Sequence, residues 1–136
     1  MIFLADENIS TRLSRILDIF DTKYEYRSLT DYFEAGTKDV VWIREVAEWD
    51  PNPIILSGDE RILRNKVERK VLKDSNLSCV FLSGSLLNLS WNDLVWKMLK
   101  VWPNVVRDVS KVRNPTVFVI KGRDLKVELI HATAKL

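Results

Sequence analysis

The sequence predicts an α/β fold with a mainly parallel sheet. Short apolar runs alternate with segments whose apolar residues recur at helical spacing, the signature of strands joined by helical crossovers. Acidic residues follow the first and third apolar runs. With 4 Gly and 4 Pro in 136 residues there is little room for a linker, so a single domain over 1–136 is expected.

Residues 2–5 read as the first strand. Over 9–20 the apolar positions Ile9, Leu13, Ile16, Leu17 and Phe20 keep helical spacing, with Asn8 or Ser10 as the cap. Residues 24–29 alternate as a second strand. Thr37 is the expected cap of a helix over 38–49, with Val41, Val46 and Trp49 facing inward. Pro51 and Pro53 then end it. Residues 54–56 form a buried third strand closed by Ser57-Gly58-Asp59. A helix over 60–73 follows, with the stripe Ile62, Leu63, Val67 and Val71. Residues 78–82 make a fourth strand, and Ser90 opens a helix to about Val101. Residues 116–120 and 126–130 read as a closing antiparallel hairpin at the sheet edge, turned at Gly122-Arg123-Asp124.

Composition excludes several classes. A chain 46% hydrophobic and 29% charged suits a globular protein. Nothing approaches the roughly 18 consecutive apolar residues of a membrane span, and no signal peptide is evident, so a cytoplasmic location is the default expectation. The single Cys79 has no partner for an internal disulfide and reads as a core residue. The net charge of +2 hides a division. Residues 1–50 carry 11 acids and 6 bases, whereas 51–136 carry 8 acids and 15 bases. An acidic site beside a basic surface is the pattern this suggests.

In an open parallel sheet, ligands bind outside the carboxyl ends of the strands, where the strand order reverses. Asp6-Glu7 follows the first strand and Asp59-Glu60 the third. Asp39, opening the helix after the second strand, can reach the same edge. Two carboxylates about 4 Å apart repel by roughly 4 kcal/mol at an effective dielectric near 20. Such a cluster calls for a cation or strong donors, and oxygen-only ligands suit Mg2+ or Mn2+. Asp6 is thus a candidate metal ligand. Each acid also has a plainer reading: Asp6 as a turn residue, Asp39 at a helix N-terminus, Asp59 as an N-cap, Glu68 paired with Arg64.

Three stretches, FLADENIS, GTKDVVWIREVAEWD and IILSGDERILRNKVERKVL, resemble the compact PIN-like domains, the fold of VapC-type toxin ribonucleases. The resemblance covers about residues 1–85 and implies a three-layer fold. It implies one or two divalent ions, Mg2+ or Mn2+, that activate water against RNA phosphodiesters. By the same resemblance Asp6, Asp39 and Asp59 are the catalytic metal-binding acids, with Ser57 and Asn8 in support. Many relatives place a fourth acid after the fourth strand, but here none precedes Asp93, and Glu7, Glu60 or Glu68 could compensate. RNA and a protein antitoxin are the implied partners, and a homodimer is a further candidate assembly. Arg61, Arg64, Arg69 and Lys70 form the candidate RNA track. Two other readings stay open. One is a receiver-like phosphoacceptor using Ser83 and Lys121, and the other is a catalytically inactive PIN-like binding module.

Overall fold

The computed structural model describes residues 1–59, 61–112, 115–122 and 127–132; for Leu63 and for 127–132 the backbone alone is described. Glu60, Arg123, Asp124, Lys126 and the side chain of His131 therefore lie outside the description.

Six strands form one sheet: β1 (Ile2–Ala5), β2 (Glu25–Ser28), β3 (Ile54–Ser57), β4 (Cys79–Leu82), β5 (Thr116–Ile120) and β6 (Val127–Ala132). Their order is β2-β1-β3-β4-β5-β6. The first four pairings in that order are parallel, and only β5 with β6 is antiparallel. The expected C-terminal hairpin is present, yet its first strand belongs to the parallel sheet beside β4. The reversal of strand order falls between β1 and β3.

Helices cover both faces because both faces of the strands are apolar. Phe3, Leu56, Val80, Leu82 and Ile120 meet α1 (Thr11–Phe20) and α6 (Trp91–Lys111) through Leu13, Leu17, Met98, Trp102 and Val105. Alternate residues Leu4, Ile55, Cys79, Phe81 and Val119 meet α2 (Asp39–Val46), α3 (Arg61–Arg64) and α4 (Lys66–Ser75) through Trp42, Ile43, Ile62 and Leu72. The result is the expected three-layer α/β/α arrangement. Cys79 is buried in it, as expected. Among the described residues, no helix is long and apolar enough to cross a membrane.

Four local expectations change. Thr37 does not cap α2, because its hydroxyl donates to the Glu34 carbonyl at 2.6 Å and Lys38 takes the cap position. The inward face of α2 is Trp42, Ile43 and Val46, leaving Val41 exposed, as Phe20 is at the end of α1. The helix expected over 60–73 is two helices. Asn65 accepts hydrogen bonds from the Val67 and Glu68 N–H groups at 3.0 and 3.2 Å and restarts the chain as α4. That break turns Val67 outward and buries Leu72. Finally, α6 runs ten residues past Val101 and through Pro103. An interior proline costs about 3 kcal/mol, but Val105 and Val109 continue the buried stripe beyond it. A short helix unread in the sequence, α5 (Gly84–Leu87), follows β4.

Gly122 packs directly against the backbone of α5. A Cβ there would stand 2.9 Å from the Leu86 nitrogen and 3.0 Å from its Cα, both backbone atoms. At Gly58 it would stand 2.5 Å from Leu87 Cδ1, the movable end of a side chain. Gly122→Ala is therefore expected to lower stability in urea unfolding by about 1–3 kcal/mol. Gly58→Ala is expected to cost less, and a larger loss at Gly58 would contradict this packing account.

Candidate metal centre at the carboxyl edge of the sheet

Asp6 sits one residue past β1, where its N–H still donates to the Leu56 carbonyl at 2.9 Å and so extends the pairing with β3. The side chain is only 5% exposed. Oδ1 accepts from the Asn8 N–H at 3.0 Å, and Oδ2 accepts a short hydrogen bond from the Ser57 hydroxyl. Ser57 Oγ in turn accepts from the Asp59 N–H at 3.0 Å. One buried hydroxyl thus links the ends of the neighbouring strands β1 and β3. The expected supporting roles of Asn8 and Ser57 have this physical form: one donates by its backbone, the other by its side chain.

Asp39, the first residue of α2, accepts from the indole N–H of Trp42 at 2.9 Å. Trp42 is fully buried, so it fixes where that carboxylate points. Glu7 accepts from the Gly36 N–H at 3.2 Å, fastening the loop before α2 to the end of β1. Gly36 takes φ 84°, a left-handed conformation that suits glycine. Asp59 is clamped by Arg61 through two side-chain contacts of 2.8 Å, and also accepts from the Arg61 N–H at 3.0 Å.

These residues line one cleft of about 430 Å3: Asp6, Glu7, Asn8, Asp39, Asp59 and Glu68, with Lys38, Trp42 and Arg61 among the others. The expected gathering of Asp6, Asp39 and Asp59 at one edge is what the fold produces. Of the expected RNA track, only Arg61 reaches this cleft. Arg69 and Lys70 line a separate groove on α4 with Lys66, Lys73 and Asp74, and Arg64 lines neither. Glu60 lies outside the described residues. Lys38 and Trp42 went unread in the sequence, although a Trp three residues after Asp39 on a helix is at contact spacing. Asp93 serves its helix: its N–H donates to the Ser90 hydroxyl at 3.3 Å. Ser83 caps α5, accepting from the Leu86 N–H at 3.4 Å.

The charges work against one another. Burial pushes the Asp6 pKa up to about 6, helped by the charges of Asp39 and Asp59 and opposed by the Ser57 and Asn8 hydrogen bonds. Burial also raises Asp39, with Asp59 and Glu7 adding repulsion. Glu68 is raised by burial and then by Asp39 and Asp59. Asp59 alone is lowered, by the Arg61 guanidinium. Among the described residues no three metal-ligating side chains stand close enough to enclose an ion as they are placed. The donor chemistry nevertheless fits Mg2+ or Mn2+, which bind through one or two carboxylates and keep several waters.

The pH dependence of stability follows from Asp6. Its native carboxyl holds a proton more tightly than the unfolded one, so ionising it opposes folding. That cost is absent below about pH 4, grows through pH 6, and reaches on the order of 3 kcal/mol at pH 7. In EDTA, lowering the pH from 7 to 5 should therefore raise the melting temperature. Asp6→Asn should flatten this dependence while leaving the protein folded. A wild-type melting temperature that falls over that interval, with no difference between the two proteins, would contradict the assignment.

The receiver-like reading shares the strand order β2-β1-β3-β4-β5, so topology does not separate it from the PIN-like one; sequence similarity does. The PIN-like domain family pattern matches residues 1–84. That span holds β1 to β4 and every acid of the cleft. No curated protein and no solved structure matches the chain. On the family match, the chain belongs to the PIN-like domain family.

Proposed function

We propose that this protein is a divalent-metal-dependent endoribonuclease, the toxin of a toxin–antitoxin pair acting in the cytoplasm. The observation that carries the reading is the convergence of Asp6, Asp39, Asp59 and Glu68 on one cleft where three of the four have raised pKa values. A PIN-like domain is a nuclease-type fold, and this excess of negative charge suits a site whose working form includes a cation. Mg2+ or Mn2+ would supply water of lowered pKa and charge stabilisation on the phosphate oxygens.

The chain's own residues divide the remaining work. Asp6, Asp39 and Asp59 would hold the cation, directly or through its waters, with Glu7 and Glu68 beside them in the cleft. Ser57 orients Asp6, and Trp42 orients Asp39. Lys38 and Arg61 are basic side chains lining the cleft and would meet the phosphate backbone there. Arg61 has a second consequence. Its fork occupies the carboxylate of Asp59, so cation binding must compete with it. Arg69 and Lys70, in their separate groove on α4, would add positive charge at a distance from the cleft and not a continuous path. An antitoxin would restrain such an enzyme by covering the acidic cleft.

The test is cleavage of end-labelled RNA by the purified chain with Mn2+ and with EDTA. Activity should require the metal and be abolished by Asp59→Asn. Ser57→Ala, which touches Asp6 rather than substrate, should lower it about 10–100-fold. Expression of the chain alone should arrest growth, with Asp59→Asn relieving the arrest; equal toxicity from both would sink the proposal. A further expectation concerns the clamp. Arg61→Ala should bind Mn2+ more tightly than the parent in titration calorimetry, and a weaker affinity would contradict the competition.

A further inference from the structure

A groove larger than the acidic cleft lies away from it. About 690 Å3 in volume, it runs from the amino ends of β1 and β2 along the free edge of β2, lined by Lys23, Glu25, Arg27, Tyr32, Trp49 and Asp50, among others. Tyr32 and Trp49 meet edge to face, their ring centroids 4.9 Å apart at 63°. The Arg27 guanidinium stands 5.7 Å from each ring centroid, within cation–π range, and Glu25 holds it at 2.8 Å. Tyr32 is nonetheless 49% exposed.

Local structure holds both rings in place. The Tyr32 N–H donates to the Leu29 carbonyl at 3.0 Å, closing a 3-10 turn over Leu29–Asp31. Asn52 donates to the carbonyls of Ala47 and Trp49 at 2.7 and 2.9 Å, fixing the chain just past α2. The same two segments wall the acidic cleft at their other ends, where Leu29 and Asp39 line it. From Asp39 to Val46, α2 covers about 10 Å at the helical rise, and Trp49 lies three residues farther on. A stacked strand at about 3.4 Å per nucleotide covers that in about four nucleotides.

Exposed aromatic rings flanked by Arg and Lys are the chemistry that binds single-stranded nucleic acid, rings taking bases and cations taking phosphates. A groove for an added peptide strand would offer apolar pockets along the edge. Here the outward residues of β2 are Glu25 and Arg27, paired with each other, an arrangement that discourages strand addition. We propose that this groove is a nucleobase subsite for single-stranded RNA running on from the acidic cleft, an inference that rests on the ribonuclease reading.

The experiment is calorimetric titration of oligouridylates of two, four, six and eight nucleotides, in EDTA so that no strand is cleaved. The parent should gain affinity steeply between two and six nucleotides. Tyr32→Ala and Trp49→Ala should each lose about fivefold or more of that gain, while Tyr32→Phe and Trp49→Phe keep most of it. Tyr32 is half exposed, so its variant folds even if truncating Trp49 proves too costly. If the parent gains with length and Tyr32→Ala gains equally, the subsite is overturned while the RNA reading stands, and the groove is left to a polypeptide partner. If the parent binds no strand of any length, the subsite is overturned, while the ribonuclease reading stands or falls on cleavage in Mn2+.

Discussion

Between the ends of β1 and β3, the hydroxyl of Ser57 donates to the buried carboxylate of Asp6 and accepts the N–H of Asp59. A buried carboxylate lacking such partners would carry a desolvation cost of several kcal/mol. With them, the carboxylate becomes a fixed point around which loops are arranged. Its neighbour Glu7 reaches the Gly36 N–H, so the start of α2, and with it Asp39, is referred to the same strand end. Three segments far apart in sequence therefore converge through two side-chain contacts and the pairing of β1 with β3.

That convergence is bought with electrostatic strain. Asp6, Asp39 and Glu68 all prefer their protons more than free carboxyls do, and only Asp59 has a cation of its own, Arg61. Local rules of polar satisfaction are met, since each aspartate accepts at least one hydrogen bond. Charge balance is not met. Violations of this kind concentrate at functional sites, where stability is given up for activity.

Much of this arrangement was legible in the sequence because strand ends and the switch in strand order are topological facts. Asp6, Asp39 and Asp59 follow from where apolar runs stop, and side-chain detail does not disturb them. The basic helix was less legible. Read as one stripe over 60–73, it put Arg61 and Arg69 on a common path. Yet Asn65, three residues before Glu68, is a capping signal within that stripe, and the restart there separates Arg61 from the groove on α4. The length of α6 was hidden by Pro103, a stop signal that burial of Trp102, Val105 and Val109 overrides. Trp42 was hidden by register, because a one-residue rotation of the inward face exchanges it with Val41.

The family match ends at residue 84, but one face of the sheet is closed by α6, which begins at Trp91. Leu94, Met98, Val101, Trp102 and Val105 are fully or nearly buried against Phe3, Leu56 and Val80. The indole N–H of Trp102 donates to the Tyr26 hydroxyl at 2.6 Å, and Phe3 stacks on Tyr26 at 5.0 Å. The acidic edge inside the matched span and the helix beyond it therefore pack into one core. The inner stripe of α6 is constrained in volume by the strands it covers. A substitution on the inner stripe of α6 shifts the strand that carries Asp6 without touching any residue of the cleft.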